Sequence, residues 1–575
     1  MNGIQGSLNI KGTANISQLV IDADSSQSNL NPLIKLRKKD GTDLLSIHSD
    51  DGTNTYIGLN TGTASITGTA IRNTFIGANA GYKNSIGSQN TAIGESALLN
   101  NTTGISNTAI GNAALYTNTS GGANTAMGFD ALSSNTSGYN NIAVGYEALS
   151  NNSTGFLNTA IGFNALYKNF SGTNNTAVGF STLFSNTVGY ENTAIGDEAL
   201  HSNQQGYYNT GLGRFALTNN TSGHSNTATG MNALQANTTG NFNTAAGRDA
   251  LYTNTTGNYN TATGRFALFA NTSGFYNTAN GQLSLQSNTT GEQNTAIGEE
   301  SLNANTTGSF NTAVGLGALF ATSISANNTM LGCRAGVSND LGWNNTFAGA
   351  NANANASGIF NSIAIGESAT ATASSQARIG NSSVTSIGGF AGWSNVSDGR
   401  VKQNVQENVP GLTFISKLKP VTYHLNLDAA DRIMQKLPAK TMDGKIIAAA
   451  QFETDARKQK EQIVYTGFIA QDVEKAAKEL GYDFSGVDAA KNDKDLYGLR
   501  YAEFVVPLVK AVQEQQVIIE KLTKQVEAAS AANMSTIVGK QQQMIDALQK
   551  ENEVQKNTNA NLQKQMDELK TLLKK

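Results

Sequence analysis

The chain of 575 residues has a single cysteine, Cys333, and four scattered histidines, His48, His201, His224 and His424. One cysteine excludes an intramolecular disulfide framework, and nothing around it has ligand spacing, so no metal, cofactor or histidine-based triad is expected. Proline is scarce, at 5 residues, which argues against a proline-rich linker protein despite the 59 glycines. Charged residues make up only 14% of the chain, against a globular norm of about 25%. The net charge of −3 gives no reason to expect nucleic acid or an anionic membrane as partner. No apolar run approaches the ~20 residues of a spanning helix, so membrane insertion is not expected. The opening MNGIQGSLNIKG lacks the basic and apolar regions of a secretory signal, so either a signal is already absent from this chain or the protein leaves the cell by another route, such as release with a phage-like particle.

What the chain has in abundance is Asn, Thr, Ser and Gly, and they are ordered. The motif NTAIG or a close variant recurs from Asn73 to Asn345 at a constant interval of 17, in seventeen copies. The consensus is N-T-A-I-G-x-x-A-L-x-x-N-T-T/S-G-x-x. Position five is glycine in every copy, from Gly77 to Gly349, as a backbone with positive φ or a close neighbour requires. Position nine is leucine in fourteen consecutive copies, Leu98 to Leu319. With the aliphatic residue at position four, this gives about two anchoring side chains per copy. That is too few to bury a core alone, so neighbouring copies must stack. The NTTG and NTSG segments are turn chemistry. Two glycines per copy, each costing about 1 kcal/mol in a helix, exclude helical repeats. Fixed register excludes a disordered linker. The expected fold is therefore mainly β: a β-solenoid or β-roll shaft at 73–361, its rungs roughly 4.8 Å apart.

Residues 1–72 read as a β-rich N-terminal cap or attachment region, with SQLVIDA as one alternating run and hairpin turns at KKDGT and DDGT. Residues 362–396 form a looser β transition ending near Trp393. Charge then rises sharply. GLTFISKLKPVTYHLN opens an α/β module at 397–507, with a charged helical insertion at 428–462 and an amphipathic helix after GFIAQDVEK. A helical tail follows at 508–575. Leu508, Val512, Gln515, Ile519, Leu522 and Val526 are spaced as a heptad seam. A second seam runs Ile545, Leu548, Asn552, Gln555, Asn559, Leu562, Met566, Leu569 and Leu573. A self-associating coiled coil is expected, the alternative being a helix folded back on its own module.

Four blocks occur in order: SDGRVKQNV, LKPVTYHLN, GFIAQDVEK and YGLRYAEFVVPLVKAVQE. Over about residues 394–530 this resembles the intramolecular chaperone domain of phage endosialidases and tail fibres, the S74 peptidase family. The whole chain is similar to tail-fibre-domain proteins of Bacteroidetes-type bacteria and their phages. The repeats resemble trimeric adhesin heads, whose similar NSxAIG pattern has a shorter period. The resemblance implies a homotrimer whose C-terminal domain templates folding and then cuts itself off before the serine of S-D-x-x-x-K. That places the scissile bond at Val396–Ser397, with Ser397 as nucleophile and Lys402 as base. Asp398 would orient the turn or dyad, and Arg400 would supply a charge lowering the lysine pKa. From its residues alone, Ser397–Asp398 reads as an N-cap or turn.

Four functions follow as expectations. The first is a virion or injection-particle fibre, N-terminally attached to a baseplate or surface and binding a cell-surface receptor, a glycan among the candidates. The second is a cell-surface trimeric adhesin. The third is a fibre-borne glycan depolymerase, for which Glu95, Glu147 and Asp197 vary between copies like solvated surface. The fourth is a threonine ladder binding ice or a flat polysaccharide surface. Tyr139, Phe156, Tyr207, Phe242, Tyr259 and Phe275 would stack either on sugar rings or on one another along the shaft.

Overall fold

The computed structural model describes residues 32–50, 52–337, 342–390, 394–435, 451–531 and 535–572. SQLVIDA, Trp393 and the side chains of Leu569 and Leu573 lie outside the described residues. The chain divides into two compact units, Met1–Thr307 and Gly308–Lys575.

The first unit is a cap followed by a β-solenoid. Strands β1 (Ile34–Arg37) and β2 (Asp43–His48) form an antiparallel hairpin, turned at Gly41 with φ +90°. β2 pairs antiparallel with β3 (Thr55–Ile57), and from there every pairing is parallel. Each coil contributes one three-residue strand, matched residue for residue to the next, as Thr91, Ala92 and Ile93 are to Thr108, Ala109 and Ile110. Coil geometry is already present at Asn54–Gly58, nineteen residues before Asn73, whose N–H donates to Asn54 Oδ1 at 2.8 Å.

The interior is narrow, and this explains the consensus. In a strand, alternate side chains face opposite sides. Here the alanine of position three faces in, and the residues of positions two and four face out. Ala92 and Ala109 are fully buried, whereas Ile93 and Ile161 are exposed. The expectation that the aliphatic residue of position four anchors the core is thus corrected. The anchors are Ala at positions three and eight and Leu at position nine, as in Ala92, Ala97 and Leu98. Those leucines adopt left-handed backbone, with φ 52° at Leu98 and 53° at Leu115. Such a conformation costs on the order of 1–2 kcal/mol, comparable to the roughly 1.5–3 kcal/mol from burying the side chain. In the first two coils position three is a large aromatic and position nine is glycine. Phe75 is fully buried with Gly81 in its coil, and a Cβ on Gly81 would enter the Phe75 ring; Tyr56 and Gly62 repeat the arrangement.

Two columns of buried asparagine run through the coils. Asn124 donates its backbone N–H and Nδ2 to Asn107 Oδ1 at 3.0 and 3.1 Å, and Nδ2 also reaches Gly138 O at 2.9 Å. In the second column Asn118 Nδ2 donates to Asn101 Oδ1 at 2.8 Å and Gly121 O at 2.9 Å. Each side chain thus satisfies backbone groups that a turn buried between coils would otherwise leave unpaired. Position-five glycines stack as closely. Gly111 has φ +136°, and a Cβ there would lie inside contact distance of Gly128 O.

The second unit begins with the same coil geometry, in strands Thr312–Val314, Thr329–Leu331 and Thr346–Ala348. The register continues through Ile363–Ile365 and then shortens, so that Ile363 pairs with Ala377. The asparagine column ends at Ser362, whose N–H still donates to Asn345 Oδ1 at 3.1 Å. Its shorter side chain turns to Phe360 O and Ala373 O instead.

Past residue 394 the unit is α/β. Helices are α1 (Leu412–Ile415), α2 (Leu427–Ile433), α3 (Gln451–Glu461), α4 (Ala470–Glu479), α5 (Val505–Ala531) and α6 (Ser535–Leu572). α2 and α3 fall in the charged insertion. Val421–Tyr423 pairs antiparallel with Tyr465–Gly467, and Val487–Asp488 with Gly498–Leu499. The core gathers Phe414, Val473, Ala477, Phe484, Phe504 and Leu508. Phe484 packs edge-on against Phe414 and Phe504, with centroids 5.0 and 4.8 Å apart. α4 supplies Val473, Ala476 and Ala477, the i, i+3, i+4 stripe of an amphipathic helix.

α6 returns along α5 in the same chain, bringing Leu562 to Leu508 in that core. Among the described residues, the buried positions Leu508 and Gln515 of α5 and Ile545, Leu562 and Met566 of α6 fall on the heptad seams. The polar seam positions are poorly served there: Gln515 Oε1, Asn552 Oδ1, Gln555 Oε1 and Asn559 Oδ1 are buried without a hydrogen-bond partner. A cavity of about 260 Å³ lies beneath α6, lined by Ile415, Phe468, Phe504, Leu508, Val554 and Leu562 among others.

Candidate functional site

The stretch from Asn395 to Asn408 has no strand or α-helix and is almost wholly exposed. Its one regular feature is a 3₁₀ turn, Gly399–Val401, capped by Asp398. The cap is the ordinary chemistry of an aspartate before a helical turn: Asp398 Oδ1 accepts the Arg400 N–H at 2.9 Å. The turn reverses the chain so that Lys402 comes back to Ser397, with Nζ and Oγ 2.9 Å apart. The structure therefore brings the two residues of the expected dyad within hydrogen-bond reach.

Asp398 and Arg400 are joined to each other. Arg400 Nε and Nη2 both donate to the Asp398 carboxylate, Nε to Oδ2 at 2.9 Å. The Arg400 hydrogen bond holds the Asp398 carboxyl below the usual carboxylate range, and the same bond raises the Arg400 guanidinium. Arg400 thus directs its charge to Asp398, the neighbour on the other side from Lys402. Val396, on the acyl side of the inferred scissile bond, is 87% exposed, and Val401 and Val405 are 69% and 77% exposed.

The aromatic residues of the coils are stacked on one another. Tyr139 lies on Phe156 with centroids 4.8 Å apart, Tyr207 lies between Tyr190 and His224, and Phe242, Tyr259 and Tyr276 follow in a column. Phe275 meets Tyr276 edge-on. A second column of Phe129, Tyr146, Phe163 and Phe180 stands beside the glycines. Inside a column each ring lies against its neighbours, as Tyr146 does between Phe129 and Phe163. Among the acidic residues, Asp197 pairs with Arg214 at 3.2 Å and Glu95 accepts from Asn112 at 3.3 Å. Burial and the nearby Glu147 raise the carboxyl of Asp130. No group of three or more His, Cys, Asp or Glu side chains among the described residues could hold a metal ion. No helix among them is long and apolar enough to cross a membrane.

A second cluster had no signal in the sequence. Asp495, buried, meets Thr372 Oγ1 at 2.5 Å, Gln376 Nε2 at 3.3 Å and Arg378 Nη2 at 3.1 Å. It joins residues more than a hundred positions apart, so no local pattern announces it.

Residues 397–482 match the family model described as the chaperone of endosialidase, Peptidase_S74. The match begins at Ser397 itself. The fourth sequence block lies beyond its end, yet Phe504 and Leu508 of that block complete the same core. No curated protein matches the chain. A domain matching that family behind a solenoid of 17-residue repeats fits a trimeric fibre of the tail-fibre type.

Proposed function

We propose that the chain is the subunit of a homotrimeric, surface-binding fibre, carried by a phage or a phage-like injection particle. Its C-terminal module drives trimerisation and folding and is then severed from the shaft at Val396–Ser397. The N-terminal region attaches to the particle, and the shaft presents the receptor-binding surface. The observation that carries this reading is the 2.9 Å approach of Lys402 Nζ to Ser397 Oγ at the first residue of the family match.

The bond to be cut precedes the nucleophile, so the chemistry is an acyl shift followed by hydrolysis. Ser397 Oγ attacks the Val396 carbonyl carbon through a five-membered ring. Lys402, as a neutral amine, takes the hydroxyl proton and delivers it to the Ser397 nitrogen as the C–N bond breaks. The resulting ester between Val396 and Ser397 Oγ is hydrolysed by water. The products are a carboxylate on Val396 and a free amine and hydroxyl on Ser397.

A neutral lysine requires removal from water. In the single chain both Ser397 and Lys402 are exposed, as are Val396, Val401 and Val405. Assembly supplies the cover: the valines pack against neighbouring copies, dry the dyad and bring donors for the oxyanion. Cleavage is thereby tied to correct assembly, which suits a solenoid whose copies have many near-equivalent registers. Once the template is gone, the shaft's persistence is a matter of its unfolding rate.

The test compares the full chain with Ser397→Ala by intact mass and oligomeric state. The native chain should yield trimeric residues 1–396 and a fragment of 397–575, and the variant should stay whole. A native chain that stays whole while folded and trimeric overturns the severing step. A cell-surface trimeric adhesin matured in the same way is the second reading, favoured by the likeness of the repeats to adhesin heads.

A further inference from the structure

The end of the solenoid and the C-terminal module meet through a set of polar contacts centred on Asp495. Thr372, Gln376 and Arg378 come from the last coils, and all three face this one buried carboxylate. The coil side is organised independently of it. Gln376 Oε1 accepts the backbone N–H groups of Thr372 and Ala373, both at 3.1 Å, which turns its Nε2 outward. The module side is held as well: the Lys491 and Leu496 N–H groups donate to Asp495 at 3.1 and 3.0 Å.

Further contacts surround this point. Asn492 Nδ2 donates to Thr372 O at 2.9 Å, and Asn355 Nδ2 to the carbonyls of Met434 and Lys494 at 3.0 and 3.1 Å. Arg457 reaches Ser382 Oγ at 2.9 Å and Lys460 reaches Val384 O at 2.5 Å. The apolar core of the module, by contrast, takes none of its buried members from the coils. A cleft of about 340 Å³, lined by Arg378, Ser382, Asp431, Asp488, Asp495 and Tyr497 among others, runs between the two sides. Polar, cleft-bearing surfaces of this kind are typical of separable partners, whereas a continuous apolar core marks permanent ones.

We propose that the module's face around Asp495 is a non-covalent receptor for the blunt end of the solenoid, so that cutting the chain at 396–397 leaves the module docked, and withdrawal of Asp495 is a separate step that releases it. Every contact named lies outside the exposed 394–402 stretch, so none depends on the peptide bond there. Severing and release are then two events with two controls, one at Ser397 and one at Asp495.

The inference rests on the proposed severing for its role in maturation, but its test does not. A full-length chain carrying Ser397→Ala and a specific protease site inserted between Asn395 and Val396 is folded, cut with that protease and passed over a sizing column at neutral pH. The two fragments should co-elute. Asp495→Asn on the module side and Arg378→Gln on the coil side should each speed dissociation at least about tenfold, since the first removes the charge that Arg378 faces and the second leaves the buried Asp495 without its cation. The double variant should dissociate clearly more slowly than the product of the two single effects would give, as expected for one shared contact. Circular dichroism and resistance of the uncut chain to protease establish that each variant is folded. Fragments that separate at once with Asp495 intact overturn the proposal, as do folded variants whose fragments stay together as long as the parent's. Failure of the native chain to cut itself would leave this result standing.

Discussion

Asn118 Nδ2 donates to Asn101 Oδ1 at 2.8 Å, and Asn118 Oδ1 accepts from Asn135 Nδ2 at 2.7 Å. Each asparagine of this column is both donor and acceptor to its neighbours. Asn118→Ala therefore leaves Asn101 Oδ1 and Asn135 Nδ2 each short of a partner in a dry interior. The expected loss is at least about 2 kcal/mol, from buried polar groups left unpaired. Thr103→Ala, at an exposed turn position, should change stability by less than about 0.5 kcal/mol. Hydrogen exchange of amides in the flanking coils checks this. Equal exchange in the two variants would mean the column is dispensable.

The glycine of position five should be irreplaceable, and that of position sixteen tolerant. Gly111→Ala combines φ +136° with a Cβ driven into Gly128 O, so backbone in two coils must move. A Cβ on Gly122 meets Ile105 O at 3.1 Å, a contact a small shift relieves. Limited proteolysis should cut Gly111→Ala within the neighbouring coils and leave Gly122→Ala as resistant as the parent.

Phe75 and Gly81 fill one space that other coils fill with Ala and Leu. Phe75→Ala empties it, at a cost of about 3–5 kcal/mol, and Gly81→Leu overfills it. The pair Phe75→Ala with Gly81→Leu restores the common arrangement and should recover most of the loss. Denaturation of the three variants checks the coupling. Additive destabilisation in the double variant would show that the two sites do not share volume.

The coil pattern was legible because its rules are local. Gly94 announces a close approach, and Asn101 a turn, in each of many copies. The aliphatic residue of position four misled, because a sequence cannot show that position three of these strands, and not position four, faces the interior. Ile93 faces solvent for that reason. The seams through Gln515 and Asn552 were readable as buried stripes. Which chain covers them was not, because a heptad face states its geometry and leaves its partner open. Ser397 and Lys402 were legible only through a motif, while Asp495 was invisible, since nothing local links it to Thr372 or Arg378.

The contact at Asp495 also sets a pH dependence. Burial alone would raise its carboxyl, but hydrogen bonds from Thr372 and the Lys491 and Leu496 N–H groups, with the charge of Arg378, outweigh burial and hold it below the usual carboxylate range. Asp431 and Asp488, across the cleft, are paired with Arg457 and with Arg500 and Lys491. A depressed carboxyl stabilises the contact fully above its unfolded pKa of about 3.9, and that contribution is lost as pH falls through the lower folded value. The module should stay docked at pH 5 and loosen only in stronger acid. Sizing of the cut chain across pH 3–7 checks this, and release between pH 5 and 7 would assign the fastening to another group.

The central claim is that Ser397 and Lys402 cut the chain between Val396 and Ser397. Intact mass spectrometry of the expressed full chain beside Ser397→Ala and Lys402→Arg tests it most directly, since arginine keeps the charge but cannot serve as a base. The account predicts a native product ending at Val396 and a second beginning at Ser397, with both variants whole. Native protein that remains at full length once trimeric, or a Lys402→Arg chain cut as efficiently as the parent, would contradict it.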